Sequence, residues 1–200
     1  KNRAVRVLQF GYGPLTPSLV ALQLRRDATL VVLEPDRRRG DAARRALAAG
    51  GNVVLVEQET IEGLGEFDLI VAVDGLYRLP ASIGLAGLRR ALAPSGVLVA
   101  AEAQPSVFRD LAFGLEPEAF SDETIDPAPR RLRHPEEWSA GLEQAGFVAP
   151  QVVPFRAGGS RMSLIVAERI ASSAEPIDER ADKPRDVAVM LAEPAGLDGR

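Results

Sequence analysis

The stretch Val7-Leu8-Gln9-Phe10-Gly11-Tyr12-Gly13 constrains this chain most. A β-prone, apolar run leads straight into two glycines one residue apart. The run has the pattern of a buried strand. A Gly-x-Gly directly after it is a turn whose backbone reaches positive φ and comes close to a ligand. The turn departs from its usual form. A dinucleotide-binding turn carries a third glycine three residues after the second, and Thr16 stands there. The expectation is the frame of a ligand-binding α/β domain with part of its chemistry altered.

The rest of the chain repeats the strand-then-helix rhythm. Apolar strands are expected over Ala4–Phe10, Ala28–Leu33, Asn52–Val56, Phe67–Val73 and Val97–Glu102. Helices are expected from Pro17 to about Arg26, over Arg37–Ala49 before Gly50-Gly51, and over Ala81–Leu92 before the Pro94-Ser95-Gly96 turn. This alternation implies a mostly parallel sheet covered on both faces. Gln104–Arg133 is long, polar and aperiodic. Pro135 opens a further helix, which runs through Trp138 to Ala145 and is capped by Gly146. Phe147–Phe155 and Met162–Ile170 read as strands joined by Ala157-Gly158-Gly159-Ser160. That link is too short for a parallel crossover, so these two strands must be antiparallel. A seven-stranded sheet results, in which only the last strand runs antiparallel.

Two hundred residues suit one domain with a tail, and 46% hydrophobic content supplies its core. Residues 1–170 form the expected domain. Residues 171–186, rich in Ala, Ser, Glu, Asp, Pro and Arg, read as a linker. Residues 187–200 open a new apolar strand. The chain starts with Lys and enters its first strand within about five residues, as expected of a piece cut from a longer polypeptide or of a processed product. A net charge of −4 gives no reason to expect nucleic acid or membrane as a partner. There is no apolar run of membrane-spanning length, and a cytoplasmic setting is expected. Without cysteine, and with His134 as the single histidine, no metal site is expected.

Several blocks together resemble the methyltransferase domain of modular polyketide synthases. Leu8–Gly13 matches that family's first motif. Phe67-Asp68-Leu69-Ile70-Val71-Ala72 resembles the strand before its active-site loop, and Leu88–Gly96 the turn before strand five. The more specific blocks are Glu102–Leu115, with Glu102, Pro105, Phe108, Asp110, Phe113, Gly114 and Leu115, and Arg131–Phe147. Val187–Leu197 resembles the opening strand of the ketoreductase region that follows in such synthases. The resemblance implies a class I S-adenosylmethionine-dependent methyltransferase-like (Rossmann-like) α/β fold, a three-layer sandwich, with S-adenosylmethionine as cofactor. It also implies ketoreductase and dehydratase domains as neighbours and an acyl carrier protein as a partner.

The departures carry the functional expectation. The family's third turn glycine is Leu15 here, and the acid that commonly ends its first strand is Gln9. Carbon methyltransferases of this kind use a His–Glu pair. Tyr77 stands at the His position and Glu102 matches the Glu. A phenol titrating near pH ~10 is a poor base, although it can donate a hydrogen bond to an enolate. The same degeneration resembles the pseudo-methyltransferase of animal fatty acid synthase. Binding of S-adenosylmethionine is expected to be weak or lost.

Each candidate has a plainer alternative. Tyr77 is a degenerate catalytic position or a surface loop aromatic. Glu102 is a remnant of the pair or a solvated strand-end carboxylate. Glu34, with Asp36 as fallback, receives ribose hydroxyls or simply starts the next helix. Gly11 and Gly13 serve turn geometry or cofactor approach. Arg37-Arg38-Arg39 is a solvated helix face or a phosphate cluster. Arg130, Arg131 and Arg133 are solvent-facing or meet the acidic surface of a carrier protein. His134 is expected to be a helix-entry residue and Trp138 a core residue. Two functions compete. One is a non-catalytic scaffold between neighbouring domains. The other is an active enzyme methylating the α-carbon, or a hydroxyl, of a carrier-bound (β-keto)acyl chain; a nicotinamide-dependent reductase is disfavoured by the terminal hairpin and by the lack of a Tyr-x-x-x-Lys pair.

Overall fold

The computed structural model describes residues 4–11, 13, 28–47, 53–58, 60–107 and 132–170. The Pro17–Arg26 helix, Leu15, Thr16, Arg130, Arg131, most of the 104–133 segment, the linker and the 187–200 strand lie outside these residues. So does the end of the helix expected over Arg37–Ala49.

The strands are β1 (Val5–Phe10), β2 (Ala28–Leu33), β3 (Val53–Val56), β4 (Phe67–Val73), β5 (Leu92–Ala103), β6 (Val148–Ala157) and β7 (Ser160–Glu168). They form one sheet in the order β3-β2-β1-β4-β5-β7-β6. β1 to β5 pair in parallel, and β7 runs antiparallel to both β5 and β6. The expected topology, with a single antiparallel last strand, is what the chain adopts. Gly158 and Gly159 make the connection possible. Both sit at positive φ, 55° and 82°, as a two-residue hairpin turn matched to strand twist demands.

The helices among the described residues are α1 (Arg37–Leu47), α2 (Gly84–Ala91) and α3 (Pro135–Gln144). The larger core cluster joins Leu8, Phe10, Ile70, Leu98 and Ile165 of the sheet to Leu88 of α2 and to Trp138 and Leu142 of α3. Val7, Leu30, Val32 and Val71 form a smaller cluster on the other side of the sheet. The start of α3 follows from its sequence. Pro135 needs no N–H partner in the first turn, and the Glu137 carboxylate accepts the His134 N–H at 2.6 Å. His134 is therefore the helix-entry residue.

Two boundaries differ from expectation. The helix expected over Ala81–Leu92 shortens to α2, and a 3-10 turn over Leu76–Arg78 precedes it. Pro94-Ser95-Gly96, expected as a turn, lies within β5. Ser95 reaches φ 66°, and the β4–β5 register shifts between Phe67 and Leu69, so the strand carries an irregularity rather than ending. Gly96 is what lets the strands close up here. A Cβ at Gly96 would stand 2.8 Å from the Ala93 oxygen and 2.9 Å from the Phe67 oxygen. Both are backbone atoms that no rotamer change can move. Gly96→Ala is expected to cost about 1–3 kcal/mol, as overpacking does. A shifted urea midpoint with an unchanged slope is the readout.

Candidate active site

In an open parallel sheet, ligands bind beyond the carboxyl ends of the strands, where the strand order reverses. Here the reversal falls between β1 and β4. A small, partly open pocket with a cavity volume of about 60 Å³ lies there, lined among others by Phe10, Gly11, Glu34, Asp36, Asp74 and Arg78.

Gly11 turns the chain out of β1 at φ 77°, and its N–H donates to the Leu33 oxygen at 2.9 Å. Among the described residues, a Cβ at Gly11 or Gly13 would meet nothing within 4 Å. None of those residues crowds the turn backbone, as close ligand approach requires. Glu34 is only 3% exposed, and its Oε1 accepts the Asp36 N–H at 3.0 Å. That bond fixes the carboxylate at the pocket wall. These residues fit a nucleoside: Glu34 would take ribose hydroxyls, and Gly11 would let the ligand lie against the main chain. Gln9 is buried, and its Nε2 donates to the Gly11 oxygen at 2.9 Å. Its amide braces the turn.

The end of β4 is held more tightly. Asp74 adopts φ 47°, unusual for a residue with a Cβ. Its N–H donates to the Ala101 oxygen at 2.9 Å, and its Oδ1 accepts the Ala103 N–H at 3.0 Å. Glu102 is fully buried. Its Oε1 accepts the N–H groups of Gly75 at 2.9 Å and of Leu76 at 2.8 Å. Its Oε2 is buried without a hydrogen bond among the described residues. Burial pushes the Glu102 carboxyl up to about 7, and neighbouring Asp74 adds to the rise. The bonds from Leu76, Gly75 and the Tyr77 backbone pull the other way.

The structure thus separates the expected site residues into two groups. Gly11 and Glu34 line one pocket. Glu102 stands behind its Gly75 wall, with Tyr77 two residues along. Gly13 lies next to the turn but does not line the pocket. Two alternatives are corrected. Glu102 is not a solvated strand-end carboxylate, because its strand end lies beneath the turn that follows β4. Tyr77 is not a surface aromatic but 8% exposed, because the 3-10 turn rolls it inward. Arg39 is exposed and lines the pocket. Arg133 lies over the Trp138 ring, 5.0 Å from its centroid, and Trp138 is core as expected. The sequence reading passed over Asp74, Gly75 and Arg78 as site residues. Their signal was position alone: they directly follow a strand whose carboxyl end faces the crevice.

A mostly parallel sheet with an antiparallel last strand and a binding crevice between β1 and β4 defines the Rossmann-like fold of S-adenosylmethionine-dependent methyltransferases. In sequence the chain is similar to a polyketide synthase and to a methyltransferase. Over 118 residues, 58% of this chain and 4% of the relative, it is 30% identical to the highly reducing polyketide synthase ALT1 of Alternaria alternata. Over 124 residues it is 31% identical to the methyltransferase CalH of Penicillium decumbens, covering 58% of this chain and 34% of CalH. The chain thus spans only a fraction of the length of either relative. The CurJ carbon methyltransferase crystal structure matches 84% of this chain and 49% of its own, with a TM-score of 0.67 at 22% identity. The structure of CalH in complex with SAH matches 83% and 51%, with a TM-score of 0.64 at 22% identity. No family model matches the chain.

Proposed function

We propose that this chain is a methyltransferase-like domain of a polyketide synthase that has lost catalysis and serves as a scaffold. On this reading residues 1–170 are the domain. Residues 171–186 are a linker, and residues 187–200 begin a ketoreductase-like region. Its partners are the neighbouring ketoreductase and dehydratase domains and an acyl carrier protein.

One observation carries the reading: how the Glu102 carboxylate is used. Methylating a carbon between two carbonyls requires a base to remove its proton, and a His held by a carboxylate suits that role near neutral pH. Here Tyr77 occupies the base position and is buried. Glu102 spends its bonded oxygen on the Gly75 and Leu76 amides, so it braces a turn instead of orienting a base. In the glycine turn, Leu15 replaces a residue whose backbone would approach the ligand. Gln9 replaces an acid that would pair with the ligand's amino group. Two losses of roughly 1–3 kcal/mol each move a micromolar ligand towards millimolar.

A second reading is an active S-adenosylmethionine-dependent methyltransferase acting on a carrier-bound β-ketoacyl chain. The pocket favours it, because Gly11 and Glu34 retain a geometry fit for a nucleoside. Calorimetric titration of S-adenosylmethionine into the chain decides between the two. A dissociation constant in the millimolar range is expected. A value at or below about 10 µM would overturn the inactive reading. Methylation of a β-ketoacyl carrier substrate by wild type but not by Glu102→Gln would then establish the second.

A further inference from the structure

The β6–β7 hairpin outreaches the strand it packs on. Its ladder with β5 ends at Ala103 opposite Met162, with one further bond from the Gln104 N–H to the Arg161 oxygen at 3.0 Å, while β6 and β7 continue to pair as far as Ala157 opposite Ser160. At this tip Arg156 lies directly opposite Arg161. Both side chains are exposed, and among the described residues no carboxylate engages either guanidinium. Like charges directly opposed across a strand pair are destabilising. Acids outnumber bases in this chain, 28 to 24, yet the tip concentrates two unpaired cations.

The location limits what a partner can do. β6 is the edge of the sheet. Pro150 and Pro154 remove N–H donors from it, which discourages another strand from adding there. Contact at the tip must therefore run through the side chains. Ser163, the partner of Glu102 in the β5–β7 ladder, is two residues from Arg161, so the tip stands at the same end of the sheet as the candidate site. A cationic tip of just two arginines suits a compact acidic protein surface better than a polyphosphate chain, which engages a longer basic track.

We infer that Arg156 and Arg161 form the docking point for an acidic carrier domain, whose carboxylates relieve the repulsion between them as its tethered acyl group is brought to the candidate-site end of the sheet. This inference rests on the polyketide-synthase reading and is independent of whether S-adenosylmethionine binds. Exposed Val153 and Leu164 sit on the opposite face of the ribbon and are not part of the contact.

The test titrates a fluorescently labelled holo acyl carrier domain into the 200-residue chain and into its variants at low and high salt. Arg156→Glu/Arg161→Glu is expected to weaken binding at least tenfold and to flatten its salt dependence. Val153→Ser is expected to leave it unchanged. Arg156→Glu alone places opposite charges across the ladder and is expected to raise the thermal midpoint, which separates lost binding from lost folding. Undiminished binding by the double variant overturns the inference. So does weakening by Val153→Ser alone, or equal competition by polyglutamate or by single-stranded DNA. The calorimetric titration above is unaffected by any of these outcomes, so the failure of one reading is not mistaken for failure of the other.

Discussion

Glu102→Gln is expected to flatten the pH dependence of folding stability. The carboxyl rises from an ordinary 4.5 to about 7 on folding, chiefly through burial. Between those pH values the folded chain keeps a proton that the unfolded chain has released. Wild-type stability therefore falls as pH rises from 4.5 through 7, and the loss is complete above that range. At about 1.36 kcal/mol per pH unit, the change from 4.5 to about 7 is worth about 3 kcal/mol. Glutamine imitates the protonated acid: its carbonyl still accepts from Gly75 and Leu76, and it has no charge to desolvate. The variant should match wild type near pH 4 and exceed it by up to about 3 kcal/mol near pH 8. Urea denaturation across that range is the measurement. Identical pH slopes for the two proteins would show that Glu102 is not held in a charge-excluding environment.

Trp138→Ala carries the largest expected cost in the core. Trp138 is 2% exposed and belongs to the cluster that joins α3 to the sheet through Leu98 and Ile165. Truncation leaves a cavity and costs about 3–5 kcal/mol. Trp138→Phe sharpens the test. The indole Nε1 is buried without a hydrogen bond among the described residues, so phenylalanine removes a polar group that gains nothing on folding. Phenylalanine should therefore recover most of what alanine loses, as read from denaturation midpoints. Equal losses for the two variants would mean that ring volume is not what holds α3 in place.

The reach of sequence reading can be judged from particular residues. β1, β2 and β4 were legible because each is a short, mostly apolar, β-prone run, and the hairpin because four residues cannot make a crossover. The extent of β5 was not. Pro94-Ser95-Gly96 has turn composition, and its place within a strand depends on the close approach of Phe67 and Ala93 to Gly96. Glu34 and Gly11 were legible as pocket residues from strand ends alone. The roles of Glu102 and Tyr77 were not, because burial is set by the fold of Leu76–Arg78 over the end of β5, a contact between residues more than twenty positions apart. Nothing in the local pattern distinguishes a carboxylate facing water from one capped by two amides.

That cap has a spectroscopic consequence. The N–H groups of Gly75 and Leu76 end on a single carboxylate oxygen whose charge changes near neutrality. Their proton resonances should move together through one titration step, without any mobile reporter being attached to the chain. A ligand entering the pocket next to Gly75 would displace the midpoint of that step. These two amides thus form a built-in gauge of occupancy that reads binding through equilibrium acidity and needs no turnover.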